Sequence, residues 1–436
     1  MKPRTNFSSA IRYTRTAAAV ALLIVTAIAP SAQAQTYTVL HAFAAGSDGA
    51  IPGPLIRDAQ GNLYGATRYG GITSCGEDTC GTVYKIDSTG KYTVLYRFTG
   101  GSDGTDPVAA LVRDAKGNLY GTTQGNGFIG GASVVFKVTP KGQQTVLFNA
   151  DVLDACCLDS PVALDAQGNL YGMSPYGGQP NCGVARDQLG CGTLFKVSPS
   201  GKFTVLHVFK GKDGIQPEGG VVLDAKGNIY GTAAYGGKLK CDYPGWGQPR
   251  GAGCGTIYKL DPSGKLTILH TFTGPGDGSY PLGLIIDSTG NLYGIADSGG
   301  DVIKHSNYSY GLGTVFKVDT SGKFSVLFTF TPETTRNYVY GNHLARDSKG
   351  NLYGVQQYNN CKGGGCLFRI DPKGNYSDLF DFKGEGESND GWMPSGVVLG
   401  SDGVLYGTMF LGGPPETECA DFGFTNGCGT VFKLTP

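Results

Sequence analysis

Three short motifs return along this chain seven times, and this internal repeat constrains the fold more than any other feature. The first motif is GNLYG at Gly61–Gly65, and its tyrosine recurs at intervals of 51 to 63 residues. GTVYK at Gly81–Lys85 and YTVL at Tyr92–Leu95 follow it. The equivalent tyrosines of the later copies are Tyr120, Tyr171, Tyr230, Tyr293, Tyr353 and Tyr406.

Each repeat contains four short segments rich in β-branched and aromatic residues, separated by glycine turns. This composition favours strands. Units of four strands at such a period are typical of propeller blades, because one small sheet cannot bury both of its faces without neighbours. The sequence therefore predicts an all-β protein with one seven-bladed β-propeller and four antiparallel strands per blade.

The two chain ends complement each other. An extra copy of the third motif stands at Tyr37–Phe43, before the first complete unit, and the last unit stops at Gly429–Lys433 without that copy. We expect the N-terminal strand to complete the last blade, since this pairing removes an exposed sheet edge. The predicted propeller spans residues 35–436.

The first 34 residues are typical of a signal peptide. Four basic residues precede an apolar run at Ala17–Ala29, and small residues follow at Ala32–Ala34. The apolar run is shorter than the ~20 residues that span a bilayer, although an N-terminal membrane anchor is the alternative interpretation. We expect cleavage before Gln35 and a secreted or periplasmic protein with no membrane span. Without the leader, 31 basic residues face 35 acidic ones, which argues against a nucleic-acid partner.

The three motifs resemble the GloVer-type tandem repeat of secreted bacterial proteins with varied cell-surface anchors. The resemblance covers essentially all of residues 35–436 and implies no established general activity. The chain differs from anchored relatives because it ends on a predicted strand. The D-x-x-G-N-L-Y element is also weakly similar to NHL-type and gluconolactonase-type propellers, a likeness that carries no catalytic motif.

Strand order divides the loops between two faces. The first-to-second and third-to-fourth turns of each blade share what we call the turn face, and residues 58–62 and 87–91 are examples. Their Asp, Asn and Gly residues suit tight turns, so we interpret them as structural. A calcium site is the weaker alternative, since no loop supplies enough oxygen ligands. The second-to-third loops and the blade connections form the loop face, where we expect any binding site. We expect no cofactor and no metal.

Ten of the twelve cysteines fall in pairs inside the second-to-third loops. Local disulfides are the natural interpretation for an exported protein, and a zinc site is disfavoured because the pairs belong to different blades. The predicted pairs are Cys75 with Cys80, Cys182 with Cys191, Cys241 with Cys254, Cys361 with Cys366, and Cys419 with Cys428. Cys156 and Cys157 are adjacent, and either a vicinal disulfide or two thiols remains open.

Aromatic residues on the loop face are the candidate ligand-binding residues, because they could stack on sugar rings. The alternative is that they pack beneath the disulfide loops. The candidates are Tyr69, Tyr176, Tyr235, Tyr358, Trp392 and Trp246, and Tyr280 belongs to the same face.

Catalytic candidates are weak and come from positions outside the repeat. His343, Arg346 and Tyr340 lie near one divergent blade connection and could abstract a proton in a polysaccharide lyase. His305 is a second off-repeat histidine. By contrast, we interpret His41, His207 and His270 as scaffold, because they share one repeat position.

A further repeated motif, Asp-Gly-x-x-Pro, occurs in five blade connections. Its aspartates could form a ring of carboxylates, but a turn before the innermost strand is the favoured interpretation. They are Asp48, Asp103, Asp213, Asp277 and Asp390.

The sequence thus predicts an exported, monomeric binding or interaction propeller whose ligand is a glycan or a protein on the loop face. The alternative is an extracellular hydrolase, lyase or lactonase that acts on carbohydrate at the same face. Whether the protein is an enzyme stays open at this point.

Overall fold

A computed structural model describes most of the chain after the leader. The described residues are 35–72, 80–125, 132–150, 157–178, 190–238, 241, 252–300, 302–304, 309–332, 334, 344–357, 364–384, 391–413, 419 and 427–435. The segment Gln35–Pro436 forms one compact unit. The proposed signal peptide at 1–34 lies outside the described residues and stays a prediction.

Seven antiparallel sheets form the blades, and each runs from an innermost to an outermost strand. Blade 1 contains β2 (Ala50–Pro52) with β3 (Ile56–Arg57), β4 (Leu63–Tyr69), β5 (Thr82–Ile86) and β6 (Tyr92–Arg97). Blade 2 contains β7 (Val112–Arg113), β8 (Leu119–Thr122), β9 (Val134–Val138) and β10 (Gln144–Asn149). Blade 3 contains β11 (Ala163–Leu164), β12 (Leu170–Ser174), β13 (Thr193–Val197) and β14 (Phe203–Val208). Blade 4 contains β15 (Ile215–Leu223), β16 (Ile229–Tyr235), β17 (Thr256–Leu260) and β18 (Leu266–Thr271).

The remaining three blades follow the same plan. Blade 5 contains β19 (Ser279–Ile286), β20 (Leu292–Ser298), β23 (Thr314–Val318) and β24 (Phe324–Thr329), with a separate hairpin of β21 (Val302–Lys304) and β22 (Ser309–Gly311). Blade 6 contains β25 (Ala345–Arg346), β26 (Leu352–Gln356), β27 (Cys366–Ile370) and β28 (Tyr376–Asp381). Blade 7 contains β29 (Trp392–Leu399), β30 (Leu405–Leu411), β31 (Thr430–Thr435) and β1 (Thr36–Ala42). The hairpin in the second-to-third loop of blade 5 was not predicted.

The N-terminal strand closes the ring, as predicted. Strand β1 pairs antiparallel with β31, from Thr36 opposite Thr435 to Ala42 opposite Thr430. The pairing carries a β-bulge between Val39 and His41, and the outer strand pair of every other blade has a bulge at the matching place. A bulge bends the strand and increases its twist. Strand β1 is therefore the outer strand of blade 7 in register as well as in position.

Seven hydrophobic clusters hold the ring together, one between each pair of neighbouring blades. The aromatic residue of each GTVFK strand and the terminal phenylalanine of the TVLxxF strands supply their largest side chains. These residues include Tyr84, Phe136, Phe195, Tyr258, Phe316 and Phe368 from the first set and Phe43, Phe98, Phe209, Phe272, Phe330 and Phe382 from the second, all fully buried. The repeat motifs are thus the blade interfaces.

Two glycines explain why the motifs are so constant. The last glycine of GNLYG lies against the aromatic residue of the next strand, since a Cβ on Gly65 would come within 2.5 Å of the Tyr84 hydroxyl. The first glycine of GTVFK has a positive φ and touches the next blade, since a Cβ on Gly81 would come within 2.6 Å of the Pro107 ring. Any side chain at either place would separate packed strands.

Candidate functional site

The innermost strands begin on the loop face with an unusual backbone conformation. In five blades the residue before the Asp-Gly-x-x-Pro proline has a φ near +60°, and in blade 3 Cys157 has the same conformation. The five residues are Ile51, Asp106, Gln216, Tyr280 and Met393. Left-handed backbone costs about 1 kcal/mol or more for such side chains and persists only where the surroundings hold it.

The preceding blade holds this conformation through the disulfide loops. The amides of Ile51, Gln216 and Tyr280 donate hydrogen bonds to the carbonyls of Cys428, Cys191 and Cys254, at 2.7, 2.9 and 3.1 Å. Each acceptor belongs to the second cysteine of a predicted pair. The disulfide loop of one blade therefore fixes the inner strand of the next.

Two residues after the left-handed position, each described blade start contributes one residue to the lining of a common cavity. These residues differ from blade to blade: Gly53, Val108, Asp159, Glu218, Leu282 and Ser395. They line a cavity of about 320 Å³ that residues from all seven blades enclose. We call this cavity the channel mouth.

Polar groups from five consecutive blades form an arc at the channel mouth, and three of them, Arg68, Asp159 and Glu218, line the cavity itself. Arg68 of blade 1 forms an ion pair with Asp106 of blade 2, in which Nη2 donates to Oδ2 at 2.9 Å and Nε lies 2.9 Å from Oδ1. Asp159 of blade 3 and Glu218 of blade 4 follow, and the Tyr280 hydroxyl of blade 5 donates to Glu218 Oε2 at 2.9 Å. Gln124, Gln357, Ile51, Leu282 and Phe410 also line the cavity.

Burial dominates the electrostatics of this arc. Burial, and next the negative charge of Asp159, raise the pKa of Glu218 to about 8 against the hydrogen bond from Tyr280. Burial, with a smaller contribution from Asp106, raises the pKa of Asp159 to about 6. Burial also raises the pKa of Asp106, although Arg68 opposes it. The pKa values of both carboxyl groups are therefore raised, and Glu218 keeps its proton to a higher pH than Asp159.

The turn face contains a different set of carboxylates. In six blades the aspartate before GNLYG accepts hydrogen bonds from the asparagine and the tyrosine of that motif. The six are Asp58, Asp114, Asp165, Asp224, Asp287 and Asp347. Burial opposes these bonds, but the bonds prevail and lower the pKa of each aspartate. The structural interpretation of these turns is confirmed.

The repeated histidines and the Asp-Gly motif form one scaffold contact. His41, His207 and His270 each bond through Nε2 to the aspartate of the following motif, at 3.2, 2.8 and 3.1 Å. Their partners are Asp48, Asp213 and Asp277, and Asp103 instead binds the Tyr96 hydroxyl at 2.8 Å. These aspartates cap turns next to the outer strands. Asp390 lies outside the described residues.

Of the four catalytic candidates, Arg346 lies in the described part of the chain. Arg346 contacts the turn face of the preceding blade, with Nη2 3.8 Å from Asp287 Oδ2 and its guanidinium 5.1 Å from the centre of the Tyr293 ring. These contacts join blades 5 and 6. His343, Tyr340 and His305 lie outside the described residues, so their catalytic role stays a prediction.

The aromatic residues predicted to bind a ligand lie in different environments. Tyr235 is only 3% exposed and packs edge-on against Tyr280, with ring centres 5.1 Å apart. Tyr69 and Trp392 are half-buried and pack against the cluster between blades 7 and 1. Tyr176 is half-buried too. Packing thus accounts for Tyr235, whereas Tyr358 and Trp246 lie outside the described residues.

The cysteine pairing is supported wherever the structure describes it. Cys241–Cys254 and Cys419–Cys428 form disulfides with Cα atoms 5.4 and 5.5 Å apart. Cys80, Cys191 and Cys366 are also disulfide-bonded, while Cys75, Cys182 and Cys361 lie outside the described residues. Cys156 does too, so the state of the adjacent pair stays open.

Sequence reasoning missed Arg68, Asp106, Asp159 and Glu218. A usable signal existed, because all four stand at blade positions where the other copies carry different residues, such as Gly53 and Leu282 in the case of Glu218. Within the described ranges, no group of three or more His, Cys, Asp or Glu side chains is arranged to hold a metal ion. No helix in those ranges is long and apolar enough to cross a membrane.

Comparison with known proteins supports the repeat and the fold. A model of the Gloeobacter/Verrucomicrobia repeat matches residues 25–242 and 302–436. No curated protein sequence matches the chain significantly.

Solved structures resemble it at low identity. Two are extracellular domains from B. thetaiotaomicron, of a one component system and of a hybrid two component system. Both have a TM-score of 0.52, at 10% and 12% identity over 90% and 92% of this chain, which spans only 39% and 41% of theirs. A Xanthomonas campestris gluconolactonase has 13% identity and a TM-score of 0.39 over 91% of this chain and 88% of its own, too low to support a functional conclusion. The shared feature is the propeller fold.

Proposed function

The chain belongs to the Gloeobacter/Verrucomicrobia repeat family, and we propose that this member is an exported binding propeller that holds a glycan end in its channel mouth. The observation that carries the proposal is the asymmetric polar arc. Arg68, Asp159 and Glu218 line a cavity to which all seven blades contribute. Asp106 and Tyr280 bond to Arg68 and Glu218 from the neighbouring blades.

The chemistry of the mouth suits a ligand rich in hydroxyl groups. A saccharide offers hydroxyls that both donate and accept, together with apolar ring faces. The mouth supplies two carboxyl groups that differ in pKa, Asp159 and Glu218, and apolar surface from Ile51, Leu282 and Phe410. A cavity of about 320 Å³ lies at the small end of ligand pockets, so the end of a glycan fits it better than a long chain segment.

The disulfides of the loop face agree with an exported location. The disulfides and the extracellular domains among similar propellers suggest an extracellular or periplasmic protein. We propose that residues 1–34 are a cleaved signal peptide, which would deliver the chain to such a compartment. Surface glycans would then be within reach of the channel mouth.

A glycan array probed with residues 35–436 tests the proposal. Asp159→Asn removes the ionised acceptor, and Val108→Trp fills the mouth without changing its charge. Both should weaken binding of the best glycan at least about tenfold, since a hydrogen bond to a charged group contributes about 1.5–3 kcal/mol. Asp402→Asn, at an exposed turn of blade 7, is the matched control and should bind like the original chain. Array binding that neither mouth variant reduces would overturn the proposal.

A second candidate function is a carbohydrate-active hydrolase or lyase at the same place. The observation that favours it is the pair of unequal carboxyl groups, because a carboxylate beside a protonated acid can act as general base and general acid. The test is incubation of the bound glycans with the protein, followed by analysis for new chain ends. Glu218→Gln should then lower turnover at least about 100-fold while binding persists. Intact glycans after prolonged incubation would contradict catalysis and leave the binding proposal standing.

A further inference from the structure

Three blade junctions on the turn face share an arginine contact. Arg113 at the end of β7 lies over the Tyr64 ring of the preceding blade, 5.5 Å from its centre, and 3.8 Å from Asp58. Arg346 at the end of β25 repeats this contact with Tyr293 at 5.1 Å and Asp287 at 3.8 Å. Arg57 lies 5.3 Å over Tyr406 in blade 7, where Gly400 replaces the aspartate. We call this contact the arginine clamp.

Strand register identifies the same position in the other blades. Arg57, Arg113 and Arg346 pair with Leu63, Leu119 and Leu352 at the start of the GNLYG strand. In blade 4 the residue in this register is Leu223, which pairs with Ile229. Leu223 therefore stands where three blades carry the clamp arginine and where the remaining three carry Leu164, Ile286 and Leu399.

Blade 3 nevertheless contains both residues that hold the arginine in a clamp, the tyrosine and the aspartate. The Tyr171 hydroxyl donates to Asp165 Oδ2 at 3.0 Å, as the clamped tyrosines do in blades 1 and 5. The Lys196 ammonium lies 5.6 Å from the centre of the Tyr171 ring. In the clamped blades an equivalent lysine also lies near the tyrosine, at 5.8 Å in blade 1 and 5.7 Å in blade 5, so lysine and arginine are accommodated together.

A groove opens at this junction. It has a volume of about 790 Å³ and lies between the turns of blades 3 and 4. Its lining includes Tyr171, Asp165, Asp224, Asp261, Lys196 and Leu223. The tyrosine and the aspartate that bind a guanidinium elsewhere in this protein thus border a cavity that no arginine of the described chain fills.

We infer that this groove binds an arginine side chain presented by a partner protein. The clamps in blades 1 and 5 provide the internal precedent, since the same Tyr and Asp groups already hold a guanidinium there. Arginine suits the site better than lysine, because its planar guanidinium stacks on an aromatic ring while it pairs with a carboxylate. The groove is larger than one guanidinium fills, which leaves room for the segment that carries it. This site lies on the turn face and is separate from the channel mouth.

The test uses two blocked peptides that differ in one residue, Ac-Gly-Ser-Arg-Ser-Gly-NH₂ and its lysine twin. Saturation-transfer difference NMR with residues 35–436 should show transfer to the arginine peptide and clearly less to the lysine peptide. Leu223→Arg supplies the missing clamp residue from within the chain and should weaken binding at least about tenfold. Leu223→Met conserves the volume and should bind like the original chain.

Three results would overturn the inference. They are equal transfer to both peptides, transfer that Leu223→Arg leaves unchanged, and the absence of transfer to the arginine peptide at millimolar concentration. The thermal midpoint of Leu223→Arg gives an independent readout, because an arginine that enters the clamp should keep or raise it. A lowered midpoint would also count against the inference.

Discussion

Carboxyl groups occur at both ends of the innermost strands, and their pKa values are shifted in opposite directions at the two ends. On the turn face, Asp114 accepts three hydrogen bonds from Asn118 and Tyr120, and these prevail over burial to lower its pKa. In the channel mouth, burial raises the pKa of Glu218, which accepts a hydrogen bond from the Tyr280 hydroxyl. The first arrangement repeats in six blades, whereas the bond between Tyr280 and Glu218 joins one pair of blades.

This contrast separates carboxyl groups that stabilise the folded ring from carboxyl groups that destabilise it. A carboxylate whose hydrogen bonds are satisfied contributes to folding. A buried carboxyl with a raised pKa costs free energy, and such groups concentrate at functional sites. We therefore assign the turn-face aspartates to the scaffold and the mouth carboxyls to ligand chemistry.

The largest effect should come from cutting a turn-face network. Asp114→Ala leaves the buried side chain of Asn118 without its acceptor, and should lower the free energy of unfolding by about 2–4 kcal/mol. Asp159→Ala in the channel mouth should change it by less than about 1 kcal/mol. Denaturant unfolding of both variants makes the comparison, and equal losses would remove the distinction.

Removal of a loop-face disulfide should have the next largest effect on the free energy of unfolding. The double variant Cys241→Ser/Cys254→Ser should lower the free energy of unfolding by about 2–3 kcal/mol, because the disulfide closes a short loop. The Cys254 carbonyl also accepts the Tyr280 amide, so glycan affinity should fall together with stability. An unchanged glycan affinity in this variant would show that the disulfide loop does not support the channel mouth.

The smallest effect is a pH dependence. The pKa of Glu218 is about 8 in the folded chain and about 4.3 when unfolded, so the folded state binds more protons between these values. Its contribution to the free energy of unfolding therefore falls as the pH rises from about 4 to about 8. Glu218→Gln should be at least about 1 kcal/mol more stable than the original chain at pH 8 and nearly equal at pH 4.5.

The turn-face aspartates should show the opposite sign. Their lowered pKa values mean that their contribution is present above about pH 4 and is lost as the pH falls through the folded-state values. Thermal midpoints measured from pH 3 to pH 9 record the loss of stability at acid pH and the loss at alkaline pH. A Glu218→Gln profile parallel to that of the original chain at alkaline pH would contradict the raised pKa.

The sequence predicted the ring because the ring is made by residues that repeat. The GTVFK aromatic and the GNLYG glycine meet in every blade, so one unit contains the packing rule for all seven. Tyr258 against Gly231 repeats the contact of Tyr84 against Gly65. Chain closure followed from the same logic.

The mouth could not be predicted in this way because its residues meet only after the ring closes. Arg68 and Asp106 are 38 residues apart, and Glu218 and Tyr280 are 62 apart. No spacing rule links them, since each comes from a different blade. The most divergent repeat positions mark them in the sequence. The off-repeat histidines and the aromatic residues instead point to Arg346 and Tyr235, which pack between elements of the scaffold.

A crystal structure of residues 35–436 with the glycan that binds best on the array would test the central claim most directly. Our account predicts density for a sugar ring in the channel mouth, within hydrogen-bonding distance of Asp159 and Glu218. Density on the turn face or on the outer rim of the loops, with the mouth empty, would contradict it.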